Sequence, residues 1–341
     1  MKKLFALLSI LSLLFSACSN SSGDEPKPVD PNSGKDTTTT KNDLTGNIHG
    51  ITLSIGQTQT LSTDDWKALA ASKVNDIVII PAAVENYGST ESGYKTQLAP
   101  LMINAINQLV MRNSKSKIWI GTPGVTSKDY SIASTSDDPF FNYIKYIKDQ
   151  IGTSKWTNNI RGIYMNQESV YGTVDYLNPM DNATIKLMSD LSTQVHSILK
   201  KEFLWIPYYG YGSDPATIIK NIGYVADKYS IFDYVVIQPH YYFDGTVKTN
   251  MDGVYDCVKN QNVCYRDGTP VITPKISKTA IGPEMELDWH IVPPNNYTDQ
   301  LNRYLETVTR YTEFKSTEPV IFYWDGNLTN ALSARINLYF K

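Results

Sequence analysis

The feature that most limits what this chain can become is a recurrence. Short runs of apolar, β-branched and aromatic residues alternate with longer segments of helical apolar spacing, eight times over. The short runs are Ile48 to Ser54, Asp76 to Pro81, Lys117 to Thr122, Gly162 to Asn166, Phe203 to Tyr208, Tyr234 to Gln238, Thr279 to Glu284 and Val320 to Trp324. Composition and length mark each of them as a strand. Helical spacing is found at Asp64 to Ala71, Tyr94 to Asn113, Pro139 to Ile151, Ala183 to Lys200, Pro215 to Lys228, Met251 to Lys259, Tyr297 to Phe314 and Leu328 to Leu338. Strand then helix, repeated eight times in roughly 290 residues, predicts an α/β chain closed as a (β/α)8 TIM barrel. An open doubly wound sheet is the competing architecture, but no glycine-rich nucleotide fingerprint opens any of these helices.

The predicted barrel occupies 46–341 as a single domain. Ahead of it, MKKLFALLSILSLLFSAC joins two lysines, an apolar run from Leu4 to Phe15 and small residues before Cys18. That order predicts a lipoprotein signal peptide over 1–17 and lipidation of Cys18. The apolar run falls short of the ~20 residues that span a bilayer. Residues 18–45 lack aromatics and any sustained apolar period, so they read as a flexible tether. Together these features predict a bacterial cell-envelope protein, lipid-anchored at the outer membrane or cell surface, that meets the membrane through its anchor only.

Hydrophobic residues at 41% and charged residues at 19% supply a core and exclude a disordered chain. Lys and Arg total 31 against 34 Asp and Glu, leaving no basic footprint, so nucleic acid is not an expected partner. His49, His196, His240 and His290 are scattered, neither Cys257 nor Cys264 has a His at metal-ligand spacing, and no Asp cluster resembles a calcium loop. No metal or other cofactor is expected. An exported chain permits a disulfide between Cys257 and Cys264, and geometry decides whether it forms.

In a (β/α)8 barrel, chemistry gathers where strands end. Beyond the fourth strand, alternation places Tyr164, Asn166 and Glu168 on one face, and beyond the seventh it places Gly282, Glu284 and Glu286 on one face. Opposed carboxylates are what glycosidic cleavage needs: one acid protonates the departing oxygen while the other attacks or activates water. The remaining strand ends carry rings and amides. Tyr208, Gln238, His240 and Asn166 are candidates to hydrogen-bond sugar hydroxyls, and Tyr209, Tyr242 and Trp324 to stack on sugar faces. Trp205 and Tyr234, deeper in their strands, read as core. Tyr at 23 and Trp at 6 are generous for a chain with so few charges and fit a carbohydrate partner.

Four stretches carry a family resemblance: GIYMNQE from Gly162, QVHSILKKEFLWIPYYGYG from Gln194, FDYVVIQPHYYF from Phe232 and IGPEMELD from Ile281. In order and spacing, from about Thr52 onward, they resemble domain of unknown function 4855. The resemblance implies an exported bacterial barrel of glycoside-hydrolase type. Met165 stands where the family pattern has a second aromatic, and His240 where it has Asn, departures that bear on substrate preference before catalysis. Fold-level analogy with retaining barrel glycosidases puts the general acid/base on strand four and the nucleophile on strand seven. The expectation is therefore a glycoside hydrolase, retaining in stereochemistry, with Glu168 as acid/base and Glu284 as nucleophile, Glu286 taking that role if the strand runs longer. The alternative readings are a non-catalytic glycan-binding lipoprotein on the cell surface and a structural or partner-binding surface protein.

Overall fold

The computed structural model describes residues 47–81, 90–124, 139–210 and 212–341. The expected signal peptide, Cys18 and the tether lie outside the described residues. Eight strands, β1 (His49–Ser54), β2 (Asp76–Ile80), β3 (Lys117–Gly121), β4 (Ile160–Met165), β5 (Glu202–Trp205), β6 (Tyr234–Ile237), β7 (Ala280–Glu286) and β8 (Val320–Tyr323), form a closed barrel in sequence order. All neighbours are parallel, and His49, Gly50 and Ile51 of β1 pair with Val320, Ile321 and Phe322 of β8. That last ladder excludes the open sheet. No helix among the described residues is long and apolar enough to cross a membrane.

Strand alternation divides the apolar side chains into two shells. Val78, Trp119, Tyr164, Leu204, Ile206, Val236 and Ile321 fill the barrel interior. Ile79, Ile163, Phe203, Trp205, Ile237, Met285 and Phe322 face outward, under the helices. Inside, Trp119 fits because β4 carries Gly162 beside it: a Cβ there would lie 2.2 Å from the indole and 2.5 Å from the Glu202 carbonyl. Outside, Ser62 and Asp65 form a capping box that starts the helix Thr63–Ala71. The same Asp65 carboxylate accepts the backbone N–H and hydroxyl of Thr329, fastening the last helical segment to an early one.

The amino-terminal end of the barrel is sealed by charge. Arg161, 2% exposed, donates to Asp76 at 3.1 and 3.3 Å, to Glu202 at 2.8 Å and to the Tyr234 hydroxyl at 3.2 Å. Trp119 Nε1 donates to Asp76 at 2.9 Å, and the guanidinium stands 5.5 Å from the ring centres of both Trp119 and Tyr234. Burial alone would lower the guanidinium pKa, but the charges of Asp76 and Glu202 more than reverse it, so Arg161 stays protonated.

Two strand ends differ from expectation in ways that matter for the site. β5 stops at Trp205 rather than Tyr208, because Pro207 has no N–H for the ladder; beyond it only Tyr208 bridges to Gln238. β7 continues two residues past Glu284. It pairs with β6 from Ala280 to Pro283 and with β8 from Glu284 to Glu286, so the stagger of the barrel keeps it in the sheet as far as Glu286.

Candidate active site

The two acidic strand ends meet at the carboxyl-terminal mouth. On β7, Glu284 lies level with Ile321 and Glu286 level with Tyr323, which puts Glu286 one layer nearer the opening. Glu286 is held by backbone: it accepts the His240 N–H at 2.8 Å and the Tyr242 N–H at 3.4 Å. His240 adopts φ 61°, a left-handed conformation that directs this turn of the chain onto the carboxylate. Glu168 follows β4, whose exit is pinned to β5 by Trp205 Nε1 donating to the Gln167 carbonyl and the Tyr208 N–H donating to the Glu168 carbonyl at 3.2 Å. Gln238 Nε2 donates to the Ile206 carbonyl at 3.0 Å and reaches Glu168 Oε1 at 3.4 Å, so this amide links strand six to the strand-four acid.

Glu284 and Glu286 are each 3% exposed, whereas Glu168 is exposed where the chain leaves β4. Burial raises the pKa of all three. For Glu284 the effect of burial is compounded by the charges of Glu286 and Glu168, and it stands well above the usual range. For Glu286 burial pushes the value up to about 8, with the His240 and Tyr242 N–H groups opposing the rise. For Glu168 burial raises it and the Gln238 amide opposes. Neighbouring carboxyls cannot all ionise together, and N–H donors favour the charged form. Glu286 therefore ionises ahead of Glu284. The arrangement offers one acid fixed by backbone, one buried acidic neighbour and one acid across the mouth.

The hydrogen-bonding candidates keep their places: Asn166, Tyr208, Gln238 and His240 are all partly exposed around these acids. Three stacking candidates do not. Tyr209 is fully buried and its hydroxyl donates to the Cys264 carbonyl at 2.7 Å. Trp324 faces outward from the barrel, 3% exposed, with Nε1 donating to the Thr52 carbonyl at 2.8 Å. Tyr242 is 2% exposed and gives its hydroxyl to Asp288 at 2.6 Å, supporting the loop after β7 instead of facing sugar. The exposed ring is its neighbour Phe243, packed 5.9 Å from Tyr323 and 5.5 Å from His240. Tyr323 senses the acids, its hydroxyl pushed up to about 12 by burial and the charges of Asp325 and Glu284. Beyond β7, Trp289 stacks on His290 at 3.8 Å and Tyr297 closes edge-on, with Asp288 gripping His290 Nδ1 at 2.8 Å. The disulfide left open by the sequence is not formed. Cys257 and Cys264 are buried free thiols, with Cys257 Sγ accepting the Cys264 N–H at 3.1 Å and Cys264 Sγ donating to the Asn262 carbonyl at 3.3 Å.

A second constellation lies on the helix Ala183–Gln194 and its continuation. Ser192 Oγ is 3.1 Å from His196 Nδ1, and His196 Nε2 is 2.8 Å from Asp233. The residue types suggest nucleophilic catalysis, but the roles are wrong. Ser192 is buried and its hydroxyl donates to the Ile231 carbonyl, while Asp233 also accepts the Phe203 N–H at 2.7 Å. His196 thus bridges the buried Ser192 hydroxyl and the Asp233 carboxylate and tethers the helix to β5 and to the chain entering β6. Burial would lower its pKa, but the Asp233 hydrogen bond and charge raise it on balance. The stabilisation is present below the unfolded value near 6.5 and is lost as pH rises through the higher folded value. A melting series from pH 6 to 9 should show that decline in the wild type and a shallower one in His196→Gln. Nearby, a cavity of about 270 Å³ lined by Glu202, Asp233, Tyr234, Lys278 and Thr279 opens at the strand starts, the barrel end associated with stability, away from the mouth acids. Among the described residues no cluster of His, Cys, Asp and Glu is arranged to hold a metal ion.

No family model matches the chain, and no curated protein matches it. Among solved structures, it is similar to a GH18 chitinase from Pseudoalteromonas aurantia, at 13% identity over 85% of this chain and 97% of that one, TM-score 0.44. It is similar to a psychrophilic glycoside hydrolase family 10 endo-β-1,4-xylanase, at 12% identity over 82% and 86%, TM-score 0.48. It is also similar to a xylanase–α-amylase inhibitor protein solved with trehalose, at 12% identity over 83% and 97%, TM-score 0.41. The fold assignment rests on the closed strand ladder of this chain itself.

Proposed function

We propose that the protein is a glycoside hydrolase acting on an extracellular poly- or oligosaccharide, with Glu168 as general acid/base and Glu286 as nucleophile. The observation that carries this reading is the backbone grip on Glu286 at the very end of β7, opposite an acid that leaves β4 at the same mouth. Hydrogen bonds to the charged form suit a carboxylate that must attack the anomeric carbon, while an acid whose pKa is raised suits proton delivery to the leaving oxygen. Glu284, held well above the usual carboxylate range by burial and by the charges of Glu286 and Glu168, is the less suited to attack. Net retention of anomeric configuration follows from a covalent intermediate on Glu286, formed as Glu168 gives its proton to the departing oxygen and hydrolysed by a water from which Glu168 takes a proton back. Lipid anchoring at Cys18 and kinship with domain of unknown function 4855 belong to the same proposal, since an exported, tethered barrel would meet glycans outside the cell.

Incubation of the protein with a polysaccharide panel, with products read by mass and the first-formed anomer by proton NMR, tests the reading. Cleavage with retained configuration is the expected result. Binding of a glycan with no release of reducing ends would make the mouth a capture surface instead.

A further inference from the structure

The grip on Glu286 comes from a turn of backbone that would not hold itself. Its two donors, the N–H groups of His240 and Tyr242, lie just past β6, and His240 meets the carboxyl from φ 61°. A residue other than glycine keeps such a conformation only where its surroundings fix it. Tyr242 supplies that fixing from two directions. Its hydroxyl donates to Asp288 Oδ1 at 2.6 Å and accepts the Asp288 N–H at 3.3 Å. Its carbonyl accepts Nε of Arg303, from the helix Thr298–Tyr311, at 2.9 Å. Tyr242 therefore carries one of the donors to Glu286 and is fastened, at the far end of its side chain, to the residue two positions beyond Glu286. This closes a ring of contacts around the carboxyl: Glu286, the Tyr242 N–H, the Tyr242 side chain, Asp288 and back along the strand end. Asp288 does not need the hydroxyl for its own satisfaction, since it already holds the His290 N–H at 3.0 Å and His290 Nδ1 at 2.8 Å. The contact from the Tyr242 N–H, 3.4 Å, is the longer of the two on Glu286 and the first to be lost if the turn shifts.

We propose that Tyr242 is the positioning residue of the nucleophile: anchored through its hydroxyl to Asp288 and through its carbonyl to Arg303, it keeps both backbone donors on Glu286. Its part in catalysis rests on reading Glu286 as the nucleophile; its hold on the carboxyl does not. At 2% exposure the ring touches no glycan and acts only through the acid it places. Tyr242→Phe isolates this role. Burial and the bond to Asp288 raise the pKa of the hydroxyl, so it stays protonated and its removal changes no charge. The titratable groups around Glu286 are Glu284 on the same strand, Glu168 across the mouth, His240 on the turn, Tyr323 level with it on β8, Tyr311 from the helix Thr298–Tyr311, and the anchors Asp288 and Arg303. All are retained in the variant. Without the anchor the charged form loses hydrogen-bond support, and Glu286 keeps its proton to higher pH.

The test titrates the carboxyl itself, by carbon NMR of protein labelled at glutamate side chains, with the Glu286 signal assigned from its absence in Glu286→Gln. The Glu286 midpoint, about 8 in the wild type, is expected to rise by roughly half a pH unit or more in Tyr242→Phe. Arg303→Lys, which keeps the charge but not the fixed Nε donor, should move it the same way. Tyr304→Phe is the control: it loses a buried hydroxyl bond to the Arg335 carbonyl, 2.9 Å, between two outer helical segments, and should leave the midpoint in place. On a glycan that the wild type cleaves, Tyr242→Phe should lower kcat roughly tenfold, change KM little and move the acid limb of kcat/KM to higher pH. An unmoved or lowered midpoint in Tyr242→Phe, or an equal rise in Tyr304→Phe, overturns the inference, and with cleavage intact it leaves the hydrolase reading standing. A loss confined to KM also overturns it, by making Tyr242 part of substrate binding. Absence of cleavage by the wild type sinks the hydrolase reading, while the titration still decides whether Tyr242 holds Glu286.

Discussion

Glu286→Gln is expected to remove turnover on every substrate and, at pH 8, to make the protein more stable. The first effect follows because an amide keeps the shape but cannot attack an anomeric carbon, and its single oxygen accepts only one of the His240 and Tyr242 N–H groups that the two carboxylate oxygens hold. The second follows from linkage. Burial holds the Glu286 carboxyl near 8 in the folded state, against an ordinary 4.5. Between those values the unfolded chain gives up a proton that the folded one retains, so stability present below pH 4.5 declines as pH rises towards 8. Gln carries no such charge, and the variant should be more stable than wild type at pH 8 by on the order of a few kcal/mol. Part of the slope should remain, because Glu284 is raised as well. Glu168→Gln is expected to lose about 10²–10⁴-fold in kcat on natural glycans and much less on an aryl glycoside whose leaving group needs no proton. Kinetics on both substrate types, with melting curves from pH 4 to 9, check these outcomes; a Glu286→Gln protein less stable than wild type at pH 8 would remove the buried-charge explanation.

The largest loss of stability is expected from Arg161→Leu. Removing the guanidinium leaves Asp76 fully buried without its cation, and breaking such a pair on one side costs about 3–5 kcal/mol. Glu202 is affected less because it is partly exposed. Adding Asp76→Asn to Arg161→Leu should recover part of the loss, since the stranded charge is then gone, whereas Asp76→Asn alone should destabilise. Denaturant unfolding of the three variants measures the coupling. A cost below about 1 kcal/mol for Arg161→Leu would mean that the amino-terminal plug contributes little, as exposed pairs do.

Much of the fold was legible because its signals are local. Pro139 to Ile151 has the same limits in the sequence pattern and in the structure, and each strand run marks its strand to within a few residues. Closure was not local: it depends on β1 meeting β8, a pairing of the two ends of the barrel that no window of sequence contains. In the site, Glu168 and Glu286 were legible from strand alternation alone, and the longer β7 that favours Glu286 over Glu284 came from pairing with β8 rather than from composition.

The aromatic misplacements have separate causes. Tyr209 and Trp324 have the wrong parity, since Tyr208 and Tyr323 are the inward residues of their strand ends, so counting by two would have turned both outward. Tyr242 could not be found that way. The left-handed turn at His240 breaks the alternation, buries Tyr242 against Asp288 and brings Phe243 to the surface. Ser192 and His196 sit at helical i, i+4 spacing, but their partner Asp233 comes from a different part of the chain, and the Ile231 carbonyl that decides the serine's role leaves no mark on the sequence.

The measurement that bears most directly on the proposed chemistry is reducing-end release by wild type, Glu168→Gln and Glu286→Gln assayed side by side on the same glycan panel, with products read by mass. The expected result is cleavage of one glycan class by the wild type, sharply slowed in Glu168→Gln and absent in Glu286→Gln, with all three proteins folded. Release at the wild-type rate by either variant, or release by none of the three from any glycan, would contradict a carboxylate pair at the mouth of this barrel as the catalyst.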